Sequence, residues 1–389
     1  MKGFFNWVSG FFKNKRSFYY AVAALVGTMV GVGVFGIPFS FAKAGFWIGA
    51  FSLIVVALIT LVLDLMYGEI VLRTQRIHQM TGYTEIYLGN AYKKIIFFSI
   101  ALVSYAALLI YMIIAGDFLS NVFSSITYIS PATYSLIFFF VMSSLILMGI
   151  KRISWIELLL AVLFSSVIIA ISAVGWPKIN LANFSGIQRE FWFLPYGILL
   201  FAFAGFPAIP IQRELLGDKE RFLRRAIISA VAFVSILYLI FAITVVGISG
   251  DVTTPDAISG LYEFLGDKIV FLGSLFGVLA ISTSFLMLGS AFLEIFNLDY
   301  GISRRLSWLL VVTPPLILFL GGLRTFIGIM GLAGAVAIGI EGIIMILIYT
   351  KAKSKGDRVP EYSLELPKFI YYLMILVFLA GIVYSIFVG

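Results

Sequence analysis

Apolar residues in this chain run in long unbroken blocks instead of recurring at one face of a helix or on alternate positions of a strand. The blocks lie near residues 18–42, 47–72, 94–121, 131–149, 153–176, 191–212, 226–249, 268–296, 306–323, 325–350 and 368–388, and short polar segments separate them. About 20 apolar residues span the hydrocarbon core of a bilayer as a helix. The pattern therefore predicts an all-α polytopic membrane protein with eleven transmembrane helices. The first block is too long for a cleavable signal peptide, lacks a small-residue cleavage site and is followed by further spans. The connecting loops leave no room for a second domain.

Composition agrees, because 61% of the 389 residues are hydrophobic and only 12% are charged. A mean hydropathy of +1.08 is far above what a soluble domain of this length needs. Cysteine is absent, which excludes disulfides and thiolate metal sites. The net charge of +8 invites a nucleic-acid reading, but its distribution is that of membrane topology. With the N-terminus inside, the cytoplasmic segments hold Lys2, Lys13, Lys15, Arg16, Arg73, Arg76, Lys93, Lys94, Lys151 and Arg152. They also hold Arg213, Lys219, Arg221, Arg224, Arg225, Arg304, Arg305, Lys351, Lys353, Lys355, Arg358 and Lys368. Only Lys43, Lys178, Arg189, Lys268 and Arg324 fall outside, so the positive-inside rule places the N-terminus in the cytoplasm and the C-terminus outside. The implied location is a prokaryotic plasma membrane, with lipid as the surrounding partner, no nucleic acid and no obligatory protein partner.

The first block carries "GTMVGVGVFGIP" from Gly27 to Pro38, an expensive sequence for a plain helix. Gly27 and Gly31 stand at the small-xxx-small spacing of a packing face, but Gly31, Gly33 and Gly36 scatter around the helix and Pro38 lacks a backbone donor. A broken helix is expected, with free carbonyls at the end of one half and free amides at the start of the next. Such backbone persists at membrane depth only where it lines a cavity. The sixth block, "PYGILLFAFAGFPAIPIQRELLG", is interrupted likewise by Gly205, Pro207 and Pro210. Five spans separate the two breaks, and five is odd, so a second five-helix unit must be inverted relative to the first. The expected plan is a first repeat over residues 1–177, a second over 190–350 and an extra C-terminal helix over 367–389, all in one transporter domain.

The strings "GTMVGVGVFGIPFSFAKAG", "LMYGEIVLRT", "GYTEIYLG" and "FAFAGFPAIP" resemble the amino acid-polyamine-organocation superfamily, which has the leucine-transporter-type fold, and within it the aromatic and neutral amino-acid permeases. The resemblance spans the first ten helices. It implies secondary active import of a neutral, hydrophobic or aromatic amino acid by alternating access. The amides of Gly31, Val32 and Gly33 would hold the carboxylate, as a helix N-terminus suits an anion. Carbonyls of Met29, Leu200, Phe201 and Phe203 would take the ammonium. Phe206 and the side chains of Val34 and Phe203 would meet the substrate side chain, and Tyr105 on the third helix would serve as a gate or carboxylate contact.

In the eighth block, "VLAISTSFLMLGSAFLE", the spacing Ala280-x-x-Thr283-Ser284 is similar to the sodium motif of leucine-transporter relatives. The resemblance implies an oxygen cage completed by carbonyls of Gly27 and Val30. The alternative for these hydroxyls is back-bonding within their own helix. Some proton-coupled relatives place a lysine on the fifth helix at this spot, whereas "LLLAVLFSSVIIAIS" has none. Sodium as coupling ion is the expectation and proton coupling the alternative; no other cofactor is implied.

Acidic residues within spans are Asp64, Glu69, Asp117, Glu294 and Glu341. Glu69 and Arg73, four apart, are expected to pair at the cytoplasmic end, and Glu294 to be interfacial. Glu341 is deepest and is read as a structural hydrogen-bonding group or a proton carrier. The only histidine, His78, falls in a loop. An enzyme would need a nucleophile with its base or a metal cluster, and neither is present. A channel-like facilitator is the remaining rival class, and paired breaks argue for alternating access instead.

Overall fold

The computed structural model describes residues 17–123, 126, 129–148 and 154–387, without the side chains of 154–158, 160, 161, 298 and 299. Of the basic residues used for orientation, Lys2, Lys13, Lys15, Arg16, Lys151 and Arg152 lie outside it. The described residues form helices and no strand.

In chain order the helices begin with α1 (Ser17–Met29), α2 (Gly33–Ala44), α3 (Phe46–Arg73), α4 (Met80–Leu88) and α5 (Asn90–Phe123). Next come α6 (Pro131–Met148), α7 (Ser154–Gly175), α8 (Leu194–Ala202), α9 (Ile209–Leu216) and α10 (Leu223–Ser249). The one-turn α11 (Tyr262–Leu265) precedes α12 (Asp267–Glu294) and α13 (Arg304–Leu320). α14 (Phe326–Leu332) continues through a π-turn, Ala333–Ile338, into α15 (Gly339–Lys355), and α16 (Lys368–Phe387) closes the chain. Within the described residues each expected apolar block falls largely on helix. Among the described residues seven helices are long and apolar enough to cross a bilayer, eight if α1 and α2 make one span. The remaining expected spans are shorter or interrupted, so eleven crossings stay an expectation.

Both expected breaks are present. α1 and α2 meet at 54° across Val30–Val32. Glycine and β-branched valine are weak helix formers, and this stretch alternates them. Pro38, expected to help make the break, does not: it lies inside α2, several residues beyond the bend. One missing amide there is tolerated because the rest of α2 stays buried among its neighbours. In the second span the prolines do act at the break. Pro207 and Pro210 open the 3-10 turn Phe206–Ala208 and α9, where a missing amide costs little, and they bar α8 from continuing.

The halves converge at the centre. α2 packs on α8, and α10 covers α2, α3 and α7, while α5 packs on α6 and α12. α8 also lies against the π-turn so closely that a Cβ on Gly334 would sit 1.8 Å from the Gly197 carbonyl oxygen. Glu69 is fully buried and pairs with Arg73 at 2.8 Å, as expected. It also accepts from Ser363 Oγ at 2.9 Å, the Leu364 amide at 2.6 Å and Tyr349 Oη at 3.2 Å. The segment between α15 and α16 is thereby tied to the end of α3. We predict that Glu69→Ala, which leaves those donors and Arg73 without their acceptor, costs about 3–5 kcal/mol of stability; an unchanged melting temperature of the purified protein would contradict this role.

Candidate functional site

The first break exposes backbone groups of both signs. The Val30 amide still reaches Val26 O at 2.7 Å, but the Gly31 amide turns back to Met29 O at 2.9 Å. The Gly31 amide, expected at a carboxylate, is thus already bonded. The amides of Val32 and Gly33 have no partner among the described residues, and the carbonyls of Gly27 and Val30 accept no hydrogen bond there. A buried backbone group without a partner is rare. Val30, Val32 and Gly33 are buried and Gly27 is half-buried, so four unpartnered groups within seven residues mark a place built to meet something other than protein.

At the second break, Phe201 O accepts from the Ala204 amide at 3.2 Å and Phe203 O from the Gly205 amide at 2.6 Å, so two of the expected ammonium acceptors are engaged. Leu200 O accepts nothing among the described residues. Met29 O is engaged twice, by the Gly31 amide and by Tyr238 Oη at 2.6 Å. The same hydroxyl lies 2.9 Å from Ala202 O. Tyr238, on α10, is fully buried with its ring edge-on to Phe203. No motif marked it in the sequence, where it is one aromatic among many in an apolar helix.

The two breaks touch through backbone. A Cβ on Gly33 would lie 2.7 Å from Ala202 Cα, closer than any real contact, so only glycine lets α2 approach the end of α8. Val34, Phe203 and Phe206 are buried here, and Phe206 meets the ring of Tyr67 on α3. Tyr105 is not brought to the breaks: its hydroxyl donates to Leu310 O on α13 at 2.8 Å, and its ring packs on Phe292. Another tyrosine of α5, Tyr111, faces the first break instead, because a Cβ on Gly31 would lie 3.5 Å from Ser284 Oγ and 4.0 Å from Tyr111 Oη. At 3.6 residues per turn, six residues set two side chains about 120° apart around the helix axis, so the two tyrosines face different neighbours.

Between α1 and α12 lies a cavity of about 20 Å³, enough for one water-sized occupant. Gly27, Val30, Ala280, Thr283 and Ser284 all line it. Ser282 does not: its hydroxyl donates to Val278 O within its own helix. Thr283 Oγ1 donates to Ala280 O at 2.9 Å and keeps its lone pairs for the cavity. On the α7 side stands Phe164. The lining residues carry backbone carbonyls and three hydroxyls, from Thr28, Thr283 and Ser284, and no charged side chain. Neutral hard oxygens suit a monovalent cation, whereas a divalent ion would want carboxylates. Among the described residues no cluster of histidine, aspartate and glutamate could hold a metal.

A sequence profile of the tryptophan/tyrosine permease family matches residues 14–387. The chain belongs to that family. The permease is a secondary amino-acid transporter and an integral membrane protein, not an enzyme. Its fold is the leucine-transporter type. It is similar to MhsT solved in complex with L-phenylalanine, at TM-score 0.65 and 16% identity over 95% of this chain and 97% of that one. A Na+-coupled sialic acid symporter in a substrate-bound outward-open state is similar at TM-score 0.58 and 14% identity, over 95% of the permease and 89% of the symporter. No curated protein sequence matches the permease.

The Gly33 contact gives a direct test. Gly33→Leu should leave membrane insertion intact but force the broken helices apart, at about 1–3 kcal/mol of overpacking. Amino-acid uptake should fall to background, and uptake at the wild-type rate would show that the two backbones do not need this approach.

Proposed function

We propose that the permease imports a neutral, hydrophobic or aromatic amino acid by sodium-coupled alternating access. The observation that carries the coupling is the cavity, where five residues from two separate stretches of sequence meet at the first break. The cargo reading rests on the unpartnered amides of Val32 and Gly33 for the carboxylate, the open Leu200 carbonyl for the ammonium, and the apolar walls around Val34, Phe203 and Phe206 for the side chain. The family supports an aromatic side chain, and the similarity to a phenylalanine complex agrees. No charged side chain lines the cavity, so nothing there would pair with a charged cargo side chain, which favours a neutral cargo.

Sodium is preferred over a proton because Phe164, and not a basic group, closes the cavity on the α7 side. The one-sided distribution of basic residues supports an N-terminus in the cytoplasm and a C-terminus outside, and in this reading the membrane is a prokaryotic plasma membrane. In this reading residues 1–177 and 190–350 are inverted repeats, residues 367–389 form a peripheral helix, and the breaks act as joints while one bundle rocks against the rest.

Reconstituted into liposomes, the permease should accumulate radiolabelled tryptophan or phenylalanine saturably under an inward sodium gradient. Accumulation driven equally well by a proton gradient without sodium would replace sodium by proton coupling, and passive flux at channel rates would replace the transporter mechanism. Thr283→Ala with Ser284→Ala removes two cage oxygens. It should raise the half-saturating sodium concentration by about tenfold or more while the protein still folds; an unchanged sodium response would remove the cavity from the mechanism.

A further inference from the structure

Met29 ends α1 and Ala202 ends α8, so their carbonyls belong to different broken helices, yet both converge on Tyr238 Oη, at 2.6 and 2.9 Å. A phenol carries one hydrogen. At any moment one carbonyl receives it fully, or both share it weakly. Met29 O has a second donor in the Gly31 amide, whereas Ala202 O has no other partner among the described residues. Three oxygens therefore crowd together in a fully buried place one donor short. In a low-dielectric interior such a shortage is costly, and it is relieved best by a cationic donor bearing several hydrogens.

We propose that Tyr238 is a specificity-determining residue for the amino group of the cargo, its hydroxyl and the Ala202 carbonyl receiving the substrate ammonium together. This rests on the amino-acid reading above and deepens it. When the ammonium donates to Ala202 O and to a lone pair of Tyr238 Oη, the phenol hydrogen turns wholly to Met29 O. Each oxygen then has a hydrogen, and the ends of α1 and α8 are joined through the cargo. Without cargo, the same hydroxyl alone bridges them. Tyr238 thus lets the permease distinguish an amino acid from a carboxylic acid with the same side chain, and it does so from α10, which carries neither break.

The test compares binding of L-tryptophan with that of indole-3-propionate, which lacks only the amino group, to the full-length permease in nanodiscs. Wild type should prefer tryptophan strongly; binding of neither tryptophan nor phenylalanine by wild type would sink the aromatic reading itself. Tyr238→Phe should raise the Kd for tryptophan by about tenfold or more and leave that for indole-3-propionate unchanged. Equal weakening of both ligands, as a merely structural role would give, overturns the proposal, and so does undiminished discrimination. Should the phenylalanine variant fail to fold, 3-fluorotyrosine placed at position 238 keeps the hydroxyl and reports on it. Its fluorine resonance should shift with tryptophan but not with indole-3-propionate. A resonance that moves with both ligands, with neither, or with sodium alone overturns the assignment.

Discussion

The approach of the Gly33 backbone to that of Ala202 is the constraint on which the centre of the permease depends. Two helices that each stop halfway through the lipid leave polar peptide groups where no water can reach them, and every such group needs a partner. Bringing the two ends within contact concentrates those groups in one place. Partner helices then need to supply only a few hydroxyls: Tyr238 from α10, Tyr111 from α5, and Thr283 and Ser284 from α12.

Much of this was legible in the sequence because lipid is a severe solvent. Long apolar blocks admit few alternatives to helices, and their ends agree with the helices to within a few residues. Gly31, Gly33, Gly205, Pro207 and Pro210 marked both breaks, since backbone weakness is written in residue type. Pro38 misled for the same reason: proline marks a missing donor, but the bend formed where glycine and valine alternate, ahead of it. Ala280, Thr283 and Ser284 were legible through their resemblance to a known sodium motif, and Gly27 and Val30 as what that resemblance implies. What the sequence withheld was hydrogen-bond bookkeeping at the breaks. Whether the Gly31 amide or the Phe201 carbonyl is free depends on local turns that no residue type dictates, and the choice between Tyr105 and Tyr111 depends on how α5 is rotated.

The end of the bundle that carries Arg213, Glu220 and Arg358 adds a second constraint. Arg213 on α9 donates to Glu220 at 2.7 Å and to Thr74 O at 2.7 Å, so the end of the sixth span is fixed to the end of α3. Arg358, in the segment before α16, also pairs with Glu220 and donates to Leu72 O. Burial alone would raise the Glu220 carboxyl, but the hydrogen bonds from Arg213 and Arg358 outweigh it and hold it below the ordinary carboxylate range. With Glu69 holding Ser363 and Leu364, one short segment clasps α3, α9 and α15 on the side where the basic residues gather. A bundle that rocks must carry these contacts as a unit or release them.

The two candidate sites are not independent, because both use the same strip of backbone. Gly27 and Val30 offer carbonyls to the cavity, while Val32 and Gly33 offer amides a few residues later. A cation drawn to the carbonyls pulls on the stretch whose amides face the other way, and an anion on the amides polarises that stretch in the same sense. With both sites occupied as proposed, each ligand would favour the peptide arrangement that the other needs, with no charged side chain between them. Coupling of this kind requires the break to be unpaired at both ends at once. A continuous helix would satisfy every one of these groups internally and would leave neither ligand anything to hold.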